Sequence, residues 1–198
     1  PQKKTKVRSF WPYAAAACVL LTIGISLVWT QRNRQNNPEK IAQAMPKDIA
    51  PGANRAALTL SDGKTISLDS SKNGNLTSQG NVSITKQDSG LLSYQIINPS
   101  LLPEKEDYNI LTVPPGGQFR VQLPDGTKVW LNAASTLKYP TIFHGSKRKV
   151  QLTGEGYFEV TKNPMFPFEV TAAGVSVLVL GTHFNINAYS NEPELKVT

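Results

Sequence analysis

The chain has 198 residues, 39% hydrophobic and 18% charged, with 21 Lys and Arg against 14 Asp and Glu, one Cys and two His. One cysteine excludes an internal disulfide and a thiolate metal cage, and two histidines leave little for a His-rich metal centre. The net charge of +7 raises nucleic acid or a membrane as partner, and the position of the excess decides between them.

Lys3, Lys4, Lys6, Arg8, Arg32 and Arg34 all lie in the first 34 positions, where no residue is acidic; taking these six from 21 leaves 15 basic against 14 acidic residues. The remainder is nearly neutral and lacks the basic field of a nucleic-acid-binding domain, so no nucleic-acid partner is expected. From Ser9 to Gln31 no side chain is charged, and Trp11 to Trp29 is almost wholly apolar. At about 1.5 Å per residue such a helix matches a hydrocarbon core about 30 Å thick. A single transmembrane helix is expected over 10–31, after a basic stub at 1–9. Trp11 and Tyr13 at one end and Trp29 at the other sit where aromatic rings prefer the bilayer interface, with Arg8 and Arg32 flanking the span. Pro12 falls in the first turn, where its missing N–H costs no hydrogen bond.

Four Lys/Arg in the first eight residues outweigh Arg32 and Arg34, which places the N-terminus in the cytoplasm. A cleaved signal peptide is the rival reading, but its apolar region would be overlong and Trp29 stands where small residues should mark cleavage. Cys18, mid-span, reads as a small apolar side chain. The start at Pro1 and the stop at Glu194 to Thr198, part-way through an alternating run, read as cuts at both ends.

Residues 32–54, rich in Asn, Gln, Pro and Lys, read as a tether. From 55 to 198 the pattern changes to short alternating runs. Leu58, Leu60, Asp62-Gly63, Ile66 and Leu68 predict a hairpin, and Val121, Leu123, Asp125-Gly126, Val129 and Leu131 predict another, because Gly and Asp accept tight-turn dihedrals cheaply. The two segments, starting at Leu58 and Val121, share Leu, Asp, Gly and Leu at equivalent places, from a duplicated module or from two uses of one hairpin recipe. Further strands are predicted at 82–86, 92–97, 109–113, 149–153, 157–160, 168–171, 175–180 and 184–189. The expected fold is all-β, a β-sandwich or a β-solenoid-like stack of short strands, preceded by the single transmembrane α-helix.

The run from Val113 to Pro140, then Arg148 to Val160, Pro167 to Val170 and Val179 to Tyr189, closely resembles the FecR family of membrane anti-sigma regulators, in the style of the long FecR-type proteins of Bacteroidetes. The residues carrying the resemblance are Asp125, Gly126, Trp130, Leu131, Asn132, Gly154, Glu155, Tyr157, Phe158, Pro167, Phe168, Gly181, Thr182 and Phe184. Gly156 stands where the family usually has Ala, which would loosen the strand locally. The resemblance implies a single-pass protein of the bacterial inner membrane, with a periplasmic β-domain. It implies two protein partners. One is an extracytoplasmic-function sigma factor, held by a cytoplasmic part not included here. The other is the signalling domain of a TonB-dependent outer-membrane transporter, met through a C-terminal part not included here. The lipid bilayer is the third partner, and no cofactor is implied.

Several motifs have ordinary structural readings. Gly154-Glu155-Gly156 lacks the third glycine of a phosphate loop, since position 159 is Glu, and reads as a turn or bulge between strands. Lys147-Arg148-Lys149 reads as a solvated strand entrance. His144 and His183 have no ligand spacing, and no metal site is expected. Glu155 and Glu159, four apart on one face of a strand, would lie about 13 Å apart, beyond the carboxyl separations of about 5 to 9.5 Å used by glycosidases. Asp125 and Asn132 suit a turn and a strand end. Trp130, Tyr139, Phe158, Phe168, Phe184 and Tyr189 are expected to form core layers, or in part to offer exposed surface for a binding event; the sequence alone does not separate the two. The chain therefore reads as a regulator with no catalytic residue; the alternatives are a carbohydrate-active β-solenoid enzyme of the envelope and a structural envelope protein without a signalling role.

Overall fold

The computed structural model describes residues 23–31, 53–87, 90–101, 106–190 and 195–198. The chain divides into two units, Pro1–Asp48 and Ile49–Thr198. In the first, residues 23–31 form helix α1, whose Ile25, Leu27, Val28 and Trp29 are exposed. Among the described residues no helix is long and apolar enough to cross a membrane. Arg8, Trp11, Tyr13 and Arg32 lie outside the described residues, as does the span over 10–22.

The second unit is built from strands: β1 (Ala53–Asn54), β2 (Ala57–Thr59), β3 (Thr65–Ser67), β4 (Gly74–Gln79), β5 (Val82–Lys86), β6 (Leu91–Ile96), β7 (Tyr108–Thr112), β8 (Gly117–Gln122), β9 (Lys128–Leu131), β10 (Thr136–Pro140), β11 (Arg148–Glu159), β12 (Phe168–Ala172), β13 (Val175–Val179), β14 (His183–Ala188) and β15 (Lys196–Val197). They form one curled sheet whose main path runs β3-β2-β7-β10-β11-β9-β8-β6-β5-β4. Most pairs are antiparallel; β1–β8, β6–β8 and β11–β12 are parallel. This non-sequential order, with hairpins and crossovers, differs from the stacked repeats of the solenoid alternative.

Strand β11 holds the sheet together. Its first half pairs with β10 and β12, and its second half with β9 and β14. The change of partners falls at Gly154, which has φ +85°. Burial nevertheless alternates along all twelve residues, so one face of β11 stays inward throughout. A strand that bends and passes between sheet segments is a recognised way to turn a corner. The expected break between 153 and 157 is therefore absent: Gly154-Glu155-Gly156 is neither a turn nor a gap between strands. Gly156 stands in register with Leu131 on one side and Ile186 on the other.

Inward side chains from both halves form one core. Leu58, Leu111, Leu137, Val150 and Val170 come from the β7–β10–β12 part, and Phe119, Val129, Leu131, Phe158 and Ile186 from the β8–β9–β14 part. Each fully buried Leu or Phe contributes about 1.5–3 kcal/mol. Phe158 stacks on Phe184 with centroids 5.1 Å apart and tilts against Phe168 at 6.2 Å, which joins the two parts directly. Trp130 and Tyr189, expected in the core, are only half-buried. Trp130 occupies an outward position because its neighbours Val129 and Leu131 take the inward ones.

Both Asp-Gly hairpins form, as β2–β3 and β8–β9. Each is a three-residue loop with the same bonds: Gly63 N–H to Leu60 O and Leu60 N–H to Lys64 O, matched by Gly126 N–H to Leu123 O and Leu123 N–H to Thr127 O, at 2.8–2.9 Å. Gly63 and Gly126 share φ +85°, the left-handed position that such a loop requires. β4 and β10 were not apparent from alternation, and the end of the expected tether contributes β1, paired in parallel with β8.

A polar contact also crosses the core. The Tyr94 and Tyr139 hydroxyls are 2.8 Å apart, and Asn109 Nδ2 donates to Tyr94 Oη at 3.0 Å and to Gln79 Oε1 at 2.7 Å. Burial pushes the Tyr94 phenol up to about 12 and Tyr139 well above its ordinary value. A raised phenol pKa favours the neutral, folded state below the unfolded value near 10, and that contribution is lost as pH climbs towards the folded value. Stability to urea should therefore be flat with respect to this pair up to about pH 10 and fall above it. The fall should be shallower in a Tyr94→Phe/Tyr139→Phe variant, as read from urea midpoints at pH 8 to 11.5.

Candidate functional site

On the outer face of the β8–β9–β11–β14 region, alternation brings every second side chain to the surface. Register places Arg120 beside Trp130, Trp130 beside Tyr157, and Tyr157 beside Asn185, a row across four strands. The next row holds Asn132, Glu155 and Asn187, with Gln118 nearby on β8. These rows, Asn187 apart, line an open groove of about 430 Å³ that Asn54 of β1 also borders. The Trp130 and Tyr157 rings meet edge-on, centroids 5.5 Å apart and 61° between planes.

Glu155 is fixed at the floor of the groove. Its Oε2 accepts from Asn132 Nδ2 at 2.8 Å and its Oε1 from Asn185 Nδ2 at 2.9 Å, so one carboxylate ties β9 and β14 to β11. Asn132 is oriented in turn by its Oδ1, which accepts from Ala133 N–H at 2.8 Å. Bonds to a charged acceptor contribute more than neutral ones, and partial exposure reduces the effect. Glu155→Ala should lower stability by about 1–3 kcal/mol, measured by urea unfolding of the full chain, with Glu155→Gln intermediate because its amide presents a donor to one asparagine.

A second cluster lies at the β8–β9 loop. Asp125 Oδ1 accepts from Thr127 N–H at 3.1 Å, and its Oδ2 from Thr127 Oγ1 and Arg148 Nη1, both at 2.7 Å. Arg148 Nε donates to Phe166 O at 2.7 Å, Nη1 to Thr161 O at 2.9 Å, and the guanidinium lies 5.4 Å from the Phe168 ring centre. Arg148 is 1% exposed. The solvated-entrance reading of the basic triplet is therefore wrong for its middle residue, because β11 alternation turns 148 inward with Val150 and Leu152. Lys149 is exposed, and Lys147 pairs with Glu169 at 2.9 Å, a bond that holds the Glu169 carboxyl below its usual range.

The family-motif residues thus separate by position. Asp125 and Gly126 make the loop; Leu131, Gly154, Phe158, Phe168 and Phe184 are buried; Pro167 O accepts from Arg148 N–H, and Thr182 O from Val160 N–H. Gly181 lies so close to the Lys162 backbone that a Cβ there would fall 2.3 Å from Lys162 Cα. Trp130, Asn132, Glu155 and Tyr157 instead converge on the outer groove; the sequence left open which aromatics are exposed, and it did not bring these four residues together. The signal was available: Trp130 and Tyr157 fall at the outward parity of their strands. His144 and His183 do not come together with a carboxylate cluster; among the described residues no group of three metal-ligating side chains forms.

Residues 109–198 match the family described as FecR, FecR protein. This part of the chain is similar to the FecR family, and the match takes in a little under half of the 198 residues. Two crystal structures of a proposed anti-sigma factor from Parabacteroides distasonis ATCC 8503 are similar to the chain. One, at 2.50 Å resolution, is 37% identical over 46% of this chain and 43% of its own, with a TM-score of 0.45. The other, at 1.65 Å, is 38% identical over 45% and 42%, with a TM-score of 0.44. The match therefore spans less than half the length of those proteins. A comparison with curated proteins found no match. In terms of this chain, the FecR region begins within β7 and takes in the whole of β11, both clusters around it, and all the groove residues except Asn54.

Proposed function

We propose that the chain is the membrane-anchored, extracytoplasmic portion of an anti-sigma-type regulator, one that conveys occupancy of a TonB-dependent outer-membrane transporter to an extracytoplasmic-function sigma factor. The FecR region over 109–198 carries this reading. The basic stub, the uncharged stretch from Ser9 to Gln31 and the neutral β-rich body supply the topology such a regulator needs: sigma factor on the basic side, β-unit in the periplasm of the inner membrane. In this reading Trp11, Tyr13 and Trp29 mark the interfaces and Arg8 and Arg32 bracket the span. An enzymatic role finds less support, because Glu155 and Glu159 stand four residues apart on one strand and Glu155 is engaged by two amides.

The test has two arms. A phosphatase fused after Thr198 should be active outside the cytoplasm, and a cytosolic fusion signal would reverse the topology. The full-length protein should co-purify with its sigma factor, and deleting its gene should change transcription of the neighbouring transporter operon. Failure of both binding and transcriptional change, with the β-unit folded, would leave only a structural envelope role.

A further inference from the structure

The geometry points to the outer groove as a binding site for a neutral saccharide, with Trp130 and Tyr157 as the apolar platform and Glu155, Asn185, Gln118 and Arg120 as the hydroxyl-recognising groups. The inference goes beyond the regulatory reading and rests on the groove alone.

Its lining decides the ligand class. Arg120 and Glu155 are the charged side chains bordering the groove, and their charges cancel. A phosphate-rich ligand would call for an excess of cations, which is missing. A peptide adding itself as a strand needs an open sheet edge, but the floor is already paired: β9 lies between β8 and β11, and β11 between β9 and β14. An amphipathic helix needs a broad apolar stripe, whereas this lining interleaves two rings with amides and a carboxylate. A sugar has the complementary surface. Its ring C–H faces are apolar, and each hydroxyl both donates and accepts. Amides offer both functions, a carboxylate accepts and a guanidinium donates.

The site is also built before a ligand arrives. Asn132 and Asn185 each supply one donor to Glu155, so its two oxygens are held in place, and a carboxylate oxygen accepts more than one donor. The rings are seated on neighbouring central strands rather than loops. A volume of about 430 Å³ lies within the range of small-molecule sites.

The full chain, kept in a zwitterionic detergent without sugar headgroups, would be titrated with gluco-, xylo-, manno- and galacto-oligosaccharides and with N-acetylglucosamine oligomers. Binding would be followed by Trp emission and by saturation-transfer NMR. At least one series should bind, and Trp130→Ala and Tyr157→Ala should each weaken it about tenfold or more. Should either variant lose its amide dispersion, exposed Gln118→Ala takes its place, with a several-fold loss expected. The inference is overturned if no series binds more tightly than about 10 mM, if binding is indifferent to these substitutions, or if they abolish capture of a protein partner while no sugar binds. A chain that holds its sigma factor yet binds no saccharide sinks this inference and leaves the regulatory reading standing.

Discussion

Asp125→Ala should cost the β-unit about 3–5 kcal/mol, the effect expected when one partner of a buried ion pair is removed and the other charge is left behind. Arg148 is the largest fully buried side chain among the described residues, and its charge-bearing neighbour is Asp125 Oδ2 at 2.7 Å. The Phe166 and Thr161 carbonyls and the Phe168 face also hold the guanidinium, but none of them carries a compensating charge. Against a total stability of about 5–15 kcal/mol for a domain, such a loss shifts the urea midpoint far down or prevents accumulation of folded protein. Asp125→Asn keeps an acceptor and should lose less. Asp125→Ala/Arg148→Met should recover part of the loss, since an apolar replacement of a buried pair is often near neutral. Recovery stays incomplete because the two carbonyls lose their donor. If Asp125→Ala unfolds within about 1 kcal/mol of wild type, the guanidinium is hydrated and the pair is not a structural pin.

This pair shows where sequence reading stops. Alternation around Asp-Gly predicted both hairpins, and six of the eight further strands appear with their bounds shifted by no more than a residue or so, because a half-buried strand writes its two faces into the chain. Alternation does not say which strands pair. The separation of 149–153 from 157–160 looked natural because two glycines lie between; only the pairing shows one continuous strand serving both parts of the sheet. Arg148 sat in a basic triplet; strand parity turns it inward, and the partner that neutralises it lies 23 positions earlier, which local sequence does not reveal. The groove is non-local in the same sense. Arg120, Trp130, Tyr157 and Asn185 become neighbours only through register. Size and apolarity suggested core for Trp130, whereas strand parity overrides both.

Gly154→Ala and Gly156→Ala, two residues apart in the same buried strand, should behave very differently. At Gly154 the backbone holds φ +85°, and an added Cβ would fall 2.5 Å from Ser135 Oγ and 2.9 Å from Ser135 Cα. Strained backbone costs about 1–3 kcal/mol and overpacking a further 1–3 kcal/mol, so a loss of roughly 2–6 kcal/mol is expected. Ser135→Ala in the same chain should rescue little, since Ser135 Cα and Cβ stay in place and Glu155 N–H loses the Ser135 Oγ acceptor at 2.8 Å. At Gly156 the backbone is not left-handed, and the nearest atoms to a Cβ are side-chain carbons of Phe158, Leu152 and Leu131 at 3.2–3.4 Å. They can yield by a few tenths of an ångström, so Gly156→Ala should stay within about 1 kcal/mol of wild type, with the lower backbone entropy of unfolded Ala offsetting the crowding. Urea unfolding of the two variants measures the contrast. Equal effects would mean that the partner change in β11 does not depend on the left-handed residue at 154, and that the bend is imposed by the flanking strands.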